Sequence, residues 1–119
     1  MRPMTVSKLK ISAAAAFAAA LLMAGAPAKA EDAQVFTITI KDHKFDPAEV
    51  RVPAGKPVII VVKNADATAE EFESSALKVE KIIPGGQQGT VRLRPLAVGS
   101  YAFIGEFHSD TATGSVIAE

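Results

Sequence analysis

The sequence predicts a small all-β domain, and three observations support this prediction. Several segments alternate apolar and polar residues, as half-buried strands do. Turn signals such as Asp46-Pro47, Pro53-Ala54-Gly55 and Pro84-Gly85-Gly86 recur between these segments. No long segment of the chain after residue 30 repeats its apolar residues at the helical period. This combination is typical of a sandwich or barrel built from short strands.

The first thirty residues are predicted to be a cleavable signal peptide rather than part of the fold. Arg2 and two lysines precede an Ala- and Leu-rich stretch over residues 11–25, and Ala28-Lys29-Ala30 supplies a small-x-small cleavage signal. The apolar stretch is short for a membrane span. We therefore expect a signal peptide over residues 1–30 and one domain over residues 31–119, with no membrane span in the mature form.

The predicted mature domain is acidic, although the whole chain has thirteen basic and thirteen acidic residues. Four of the basic residues fall within residues 1–30, which leaves nine basic against thirteen acidic residues, a net charge of −4 with His neutral. A mildly acidic domain without a basic cluster argues against nucleic-acid binding. Because the chain has no Cys, an exported domain of this kind must be held together by packing rather than by disulfides.

The predicted strands follow one another in short segments. Residues 35–40 alternate, with Phe36, Ile38 and Ile40 on one face, and residues 49–52 alternate again. The continuous β-branched run over residues 58–62 fits a strand that is covered on both faces. The remaining short strands are predicted over residues 77–83, 90–94, 100–105 and 115–118.

Two similar segments carry the candidate chemistry, Glu71-Phe72-Glu73 and Glu106-Phe107-His108. On an extended strand, alternate residues share a face, so both Phe rings would anchor in the core while the four polar side chains converge at one rim. Carboxylates brought together repel one another and their pKa values rise, a penalty that a bound cation removes. The pattern is compatible with a metal site, but on spacing alone ordinary solvent-exposed glutamates are the more common explanation, so both stay open here.

The other polar residues carry weaker signals. His43 is the second histidine, and it is either a surface residue or a further ligand, because imidazole suits copper, zinc and iron alike. Glu80 and Asp110 are weaker ligand candidates. The residues best explained as turn or cap residues are Asp42, Asp46 and Asp66. No arrangement of nucleophile, base and acid is apparent, and no glycine-rich phosphate loop precedes a helical pattern.

Several motifs are shared with a known family. The Pro53-Ala54-Gly55 turn and the Gly99-Ser100-Tyr101-Ala102-Phe103 segment are general to cupredoxins. His43-Lys44-Phe45-Asp46-Pro47, Glu70-Glu71-Phe72-Glu73-Ser74 and Glu106-Phe107-His108 are similar to a narrower group. Over nearly all of its predicted mature part, the chain resembles the cupredoxin-like proteins of bacterial periplasmic iron-uptake systems of the EfeO and Ftr type.

The resemblance implies a cupredoxin-like Greek-key β-sandwich with a metal site at one end. When the ligand positions of a blue-copper site are carried over to this sequence, Glu71 lies near the position of the first His and Gly105 lies at the position of the Cys. His108 matches the second His, and Ala112 falls near the Met. A type 1 copper site requires thiolate sulfur, so this chain is not expected to be a blue-copper electron carrier. Oxygen and nitrogen donors favour copper(II), iron or zinc(II) over copper(I), which prefers sulfur.

The function that the resemblance implies is that of a periplasmic metal-binding protein. It is expected to bind copper(II), iron or both and to assist an inner-membrane iron permease together with other periplasmic iron-uptake components. The expected metal ligands are His108, Glu71, Glu73, Glu106 and His43. Two alternatives stay open at this point, namely a metal-free sandwich that docks a partner through an acidic rim, and an enzyme that assists ferrous iron oxidation.

Overall fold

The computed structural model describes residues 32–119, and over these residues the chain consists of strands and one short turn of 3₁₀ helix. The predicted signal peptide lies outside the described residues. The elements are β1 (Gln34–Lys41), β2 (Lys44–Asp46), β3 (Glu49–Val52), β4 (Val58–Asn64), β5 (Glu70–Ser74), β6 (Val79–Ile83), β7 (Gln88–Leu93), β8 (Gly99–Gly105), the 3₁₀ turn Glu106–His108 and β9 (Thr113–Ala118). The all-β prediction is therefore confirmed. Within the described range, no helix has the length and apolar character to cross a membrane.

The strands form two mixed sheets that pack face to face. One sheet has the order β2–β1–β4–β7, and the other has the order β3–β9–β8–β5–β6. Strands β1 and β4 run parallel, as do β3 and β9, while the other neighbouring pairs are antiparallel. The last strands of the two sheets, β7 and β6, contact each other along one side of the sandwich.

Three phenylalanine rings fill the core between the sheets. Phe45, Phe72 and Phe103 are buried, and their ring centroids lie 4.8 to 5.9 Å apart in tilted and edge-on arrangements. Such aromatic contacts add to the free energy gained by burying the rings. The inward position of Phe72 confirms that this ring anchors β5 in the core.

Strand β4 is less covered than its sequence predicts. Val58, Ile60 and Val62 are buried in the core, whereas Ile59 and Val61 on the opposite face are half-buried. The expectation of a strand covered on both faces is therefore wrong. In the described part of the chain, side chains of the flanking strands β1 and β7 shield this outer face only partly.

Asp66 fixes the tight turn between β1 and β2. The two turn residues, Asp42 and His43, both have positive φ values, of 51° and 58°, as a two-residue hairpin turn that follows the strand twist requires. The carboxylate of Asp66 accepts the N–H groups of Asp42 and His43 at 2.8 and 2.9 Å. The hydrogen bond from His43 is the main reason that the pKa of Asp66 lies below its usual value. The interpretation of Asp42 and Asp66 as turn residues is confirmed.

Replacing Asp66 is expected to weaken this turn. The change Asp66→Ala removes both acceptors from a turn that is unfavourable for residues with a side chain, and should lower the free energy of unfolding by about 1–2 kcal/mol at pH 7. Because folding lowers the Asp66 pKa, the stabilisation is present above the unfolded-state pKa and is lost as pH falls through the folded-state value. Urea unfolding at pH 7 and near pH 3 measures this. An equal loss at both pH values, or a loss no larger than that of Asp110→Ala on an exposed loop, would contradict it.

Candidate functional site

The segment Glu106–His108 forms a turn rather than the extended strand that its sequence predicts. Strand β8 ends at Gly105, whose N–H donates to the carbonyl of Ala112 at 2.8 Å, and the N–H of Ala112 donates to the carbonyl of His108 at 2.8 Å. This closed loop leaves Phe107 49% exposed. The expectation that Phe107 anchors in the core is therefore wrong, because the chain turns before it reaches that position.

Glu70, at the start of β5, is the acidic residue buried inside the site. It is 1% exposed, and its Oε1 accepts the N–H groups of Glu71 and Phe107 at 3.0 and 2.9 Å. Its Oε2 lies 2.6 Å from Nδ1 of His108. We assign Nδ1–H of His108 as the donor and Oε2 of Glu70 as the acceptor, the arrangement in which histidine and carboxylate side chains commonly pair. Glu70 thus connects β5 to the Glu106–His108 turn.

Glu70 is not among the predicted ligands, because those on β5 are the residues directly beside Phe72. Alternate residues of a strand share a face, so Glu70 and Ser74 lie on the same side of β5 as the buried Phe72. A glutamate on the core face of a strand needs a hydrogen-bonded partner, because an unpaired buried charge is costly. That requirement is the signal in the sequence that points to Glu70 and to a donor such as His108.

His43 lies against His108. Their imidazole rings are stacked, with centroids 3.5 Å apart and planes inclined by 9°. The turn held by Asp66 presents the His43 ring, and Thr111 Oγ1 donates to the His43 carbonyl at 2.8 Å. A metal ion lies near the plane of each imidazole that binds it, about 2.0–2.1 Å from the nitrogen for zinc. Two parallel rings 3.5 Å apart therefore do not bind one ion in this arrangement.

Glu71, Glu73 and Glu106 lie together on the outer side of β5, with Glu80 of β6 opposite Glu73 in the strand register. We call these four residues the acidic face. Desolvation by neighbouring groups, then repulsion from Glu80 and Glu106, raises the pKa of Glu71. For Glu73, desolvation and then repulsion from Glu106, with a hydrogen bond between these two side chains, raises the pKa. The repulsion that the sequence analysis expected is present here.

The five predicted ligands therefore fall into two groups around one turn. Glu71, Glu73 and Glu106 belong to the acidic face, whereas His108 and His43 contact each other, and His108 pairs with Glu70 on the core side of β5. Among residues 32–119, no group of three or more His, Asp or Glu side chains is arranged to hold a metal ion. The predicted residues share a region, but the structure does not bring them together as one finished ligand set.

The pocket that the resemblance assigns to type 1 copper is filled by protein atoms. A Cβ atom placed on Gly105 would lie 2.7 Å from the Glu70 carboxyl carbon and 2.7 Å from Cβ of Ala112. Glu70, rather than Glu71, is thus the residue beside the positions carried over to Cys and Met. With no Cys in the chain and a carboxylate in this space, the residues present do not fit a type 1 copper ion.

Comparison with known proteins gives one sequence relative and several solved structures. The chain is 48% identical over 80 residues to an uncharacterized protein of Rickettsia prowazekii (strain Madrid E), a match that covers 67% of this chain and 64% of that protein. The match thus spans a little under two thirds of the relative's length.

The solved structures share the fold at low sequence identity. Auracyanin A, a "blue" copper protein from Chloroflexus aurantiacus, is 19% identical to this chain with a TM-score of 0.63. The match covers 74% of this chain and 100% of the auracyanin chain. The metal-binding domain of the Cu(I)-exporting P-type ATPase CopA from Streptococcus pneumoniae is 18% identical with a TM-score of 0.66. The match covers 77% of this chain and 92% of that domain's chain.

The sequence also matches a family profile, described as the cupredoxin-like domain, over residues 14–118. This match extends over most of the chain and agrees with the two-sheet architecture and with the similarity to copper-protein structures. The protein belongs to the family of cupredoxin-like domains.

Proposed function

We propose that this protein is a periplasmic metal-binding protein that takes up copper(II) or iron through oxygen and nitrogen donors and assists an inner-membrane iron-uptake system. The observation that carries the proposal is the hydrogen bond of 2.6 Å between buried Glu70 and Nδ1 of His108. Histidines that bind metals commonly donate their second ring N–H to a carboxylate, which fixes the tautomer and orients the ring. Glu70 is in the place of that carboxylate.

The pairing with Glu70 leaves Nε2 of His108 as the ring nitrogen with a free lone pair. The side chain of His108 is 27% exposed, so the ring is accessible from solvent while its other edge is fixed in the interior. His43, stacked on the same ring, supplies a second imidazole after a change in ring orientation. Neutral imidazole nitrogen suits copper(II), iron and zinc alike.

The acidic face supplies the oxygen donors on the other side of the same turn. Glu106 directly follows β8 and interacts with Glu71 and Glu73 of β5, two residues before His108. Carboxylate oxygens suit hard and borderline cations, and a bound cation offsets the repulsion among these groups. The charge and the donor chemistry of the acidic face therefore both support a cation rather than an anion at this end of the domain.

A ligand set that is not preformed suits a metal that is passed on. Within residues 32–119 no three donors are arranged around one point, so binding requires side chains to reorient and is expected to be weak and exchangeable. A component that receives iron and hands it to a permease needs exchangeable binding. The expected signal peptide and the motifs shared with iron-uptake cupredoxins support the periplasmic location and this class of partner.

A second candidate function rests on Phe107. This ring is 49% exposed between Glu106 and His108, and an exposed aromatic residue with charged neighbours is common where proteins dock. In this alternative, the domain binds no metal and docks a periplasmic or permease partner through its acidic rim. The two functions differ in their response to metal, because only metal binding raises the melting temperature when copper(II) or iron(III) is added.

Metal binding is expected to raise the melting temperature through His108 and the acidic face. At ten times the Kd, copper(II) or iron(III) should stabilise the protein by about 1.4 kcal/mol, which raises Tm by roughly 5–10 °C for a domain of this size. His108→Ala and the double change Glu73→Gln with Glu106→Gln should reduce this rise to less than half. Thermal melts with each metal and copper EPR measure the effect.

The matched control for these changes is Glu49→Gln, which removes a carboxylate that pairs with Arg51 outside the site. This variant should keep the full metal-induced rise in Tm. An equal rise in all variants would show that metal binds elsewhere, and no rise in the unmodified protein would favour the docking function.

Glu70 is expected to act as a positioning residue for His108. The change Glu70→Gln keeps the side-chain volume but replaces the charged acceptor, and should weaken copper(II) binding by roughly tenfold or more. Nitrogen NMR of the imidazole should show Nδ1–H on His108 in the unmodified protein and a mixture of tautomers in Glu70→Gln. An unchanged tautomer with weakened binding would assign to Glu70 a merely structural role.

Removing one carboxylate from the acidic face is expected to stabilise the protein near neutral pH. Folding raises the pKa of Glu73, so the folded state is penalised as pH rises from the unfolded-state value of about 4.5 through the folded-state value. Glu73→Gln should therefore raise Tm at pH 7 and leave it nearly unchanged at pH 4. Melting curves at both pH values measure this, and a Tm that falls at pH 7 would contradict the proposed repulsion.

A further inference from the structure

A basic cleft lies at the end of the sandwich away from His108. It has a volume of about 450 Å³ and lies where the β5–β6 turn and the β7–β8 loop approach each other. Because β6 and β7 are the last strands of their sheets, the cleft opens along the unpaired side of both. This location separates the cleft from the Glu106–His108 turn, which follows the opposite end of β8.

Three cations line the cleft, and it contains no acidic residue. Lys78, Arg92 and Arg94 are exposed, and within residues 32–119 none of them forms an ion pair. In contrast, Arg51 pairs with Glu49 and Glu119 at 3.1 and 3.2 Å. Three unpaired like charges at one cleft of an otherwise acidic domain favour an anionic ligand.

The floor of the cleft is apolar. The side chains of Leu77 and Leu96 are half-buried there, and Tyr101 closes one wall with its hydroxyl donating to the carbonyl of Ala97 at 2.7 Å. Apolar surface beside unpaired cations suits a ligand that has both carboxylates and apolar side chains. A simple inorganic anion would leave this floor in contact with water.

The spacing of the two arginines matches an extended peptide. Arg92 lies on β7, which is the edge strand of its sheet within the described residues, and Arg94 comes directly after the strand ends at Leu93. Burial continues to alternate past the end of β7, with Val91 and Leu93 buried and Arg92 and Arg94 exposed, so the two arginines lie on the same side. Residues two apart in extended backbone are about 6.6 Å apart, which is also the spacing of alternate side chains in an extended peptide. We propose that this cleft binds an extended acidic segment of a partner protein, which lies along the end of β7 that faces the cleft and places carboxylates against Arg92 and Arg94.

The experiment uses a fluorescein-labelled peptide of alternating glutamate and leucine, with a lysine–leucine peptide as its counterpart. Fluorescence anisotropy without added metal should show binding of the acidic peptide, and the double change Arg92→Ala with Arg94→Ala should raise its Kd about tenfold. Arg51→Ala, a matched arginine outside the cleft, should leave the Kd unchanged. Hydrogen exchange should slow at backbone amides of β7 when the peptide is bound.

The proposal would be overturned by no binding of the acidic peptide, by equal binding of the lysine–leucine peptide, by an equal loss of affinity in Arg51→Ala, or by unchanged exchange along β7. Displacement of the peptide by hexanoate at the same molar concentration would also overturn it, because a small carboxylate rather than a peptide would then be the ligand. Since these measurements contain no metal and leave His108 intact, their outcome is independent of the proposed metal function.

Discussion

The hydrogen-bonded carboxylate of Glu70 is the interaction on which the site end of this domain depends. It is 1% exposed and receives donors from β5 and from the Glu106–His108 turn. Removing such partners from a buried charge costs several kcal/mol, so the turn, the orientation of His108 and its ring contact with His43 are coupled to one carboxylate. Packing fixes the conformation of the rest of the core. In the Glu106–His108 turn, the hydrogen bonds to Glu70 fix the conformation instead.

The alternation of β5 divides the chemistry of this region. Glu70 faces inward beside Phe72 and is fully paired, whereas Glu71 and Glu73 face outward and repel their neighbours. The same short strand therefore carries a rigid carboxylate that orients an imidazole and a strained group of carboxylates that a cation would stabilise. Glu70 orients the imidazole of His108, whereas Glu71 and Glu73 carry the charge that a cation would neutralise, although these residues are neighbours in the chain.

The sequence predicted the strands well because burial alternates along them, as in residues 35–40 and 49–52, and this pattern is local. The site was harder for two physical reasons. Phe107 is exposed because the backbone hydrogen bonds of the loop over residues 105–112 curve the chain, a property that no residue pattern reports. Glu70 was missed because a carboxylate on the core face is stable only with donors from another segment, and the turn that supplies the Phe107 N–H and the His108 ring is not visible in the sequence.

In the proposed function, folding is separate from metal binding, because protein groups fill the space that the resemblance assigns to type 1 copper. Glu70, Gly105 and Ala112 fill that space, and the hydrogen bonds that hold the loop around it join protein groups to one another. In that function, a metal bound at the outer donors would leave without loss of the core structure. A resident cofactor is an integral part of the structure that holds it, whereas a metal in transit must leave its carrier folded. The paired Glu70 and His108 meet that second requirement, because the stability of the loop comes from their contact and the accessible edge of the imidazole stays free for exchange.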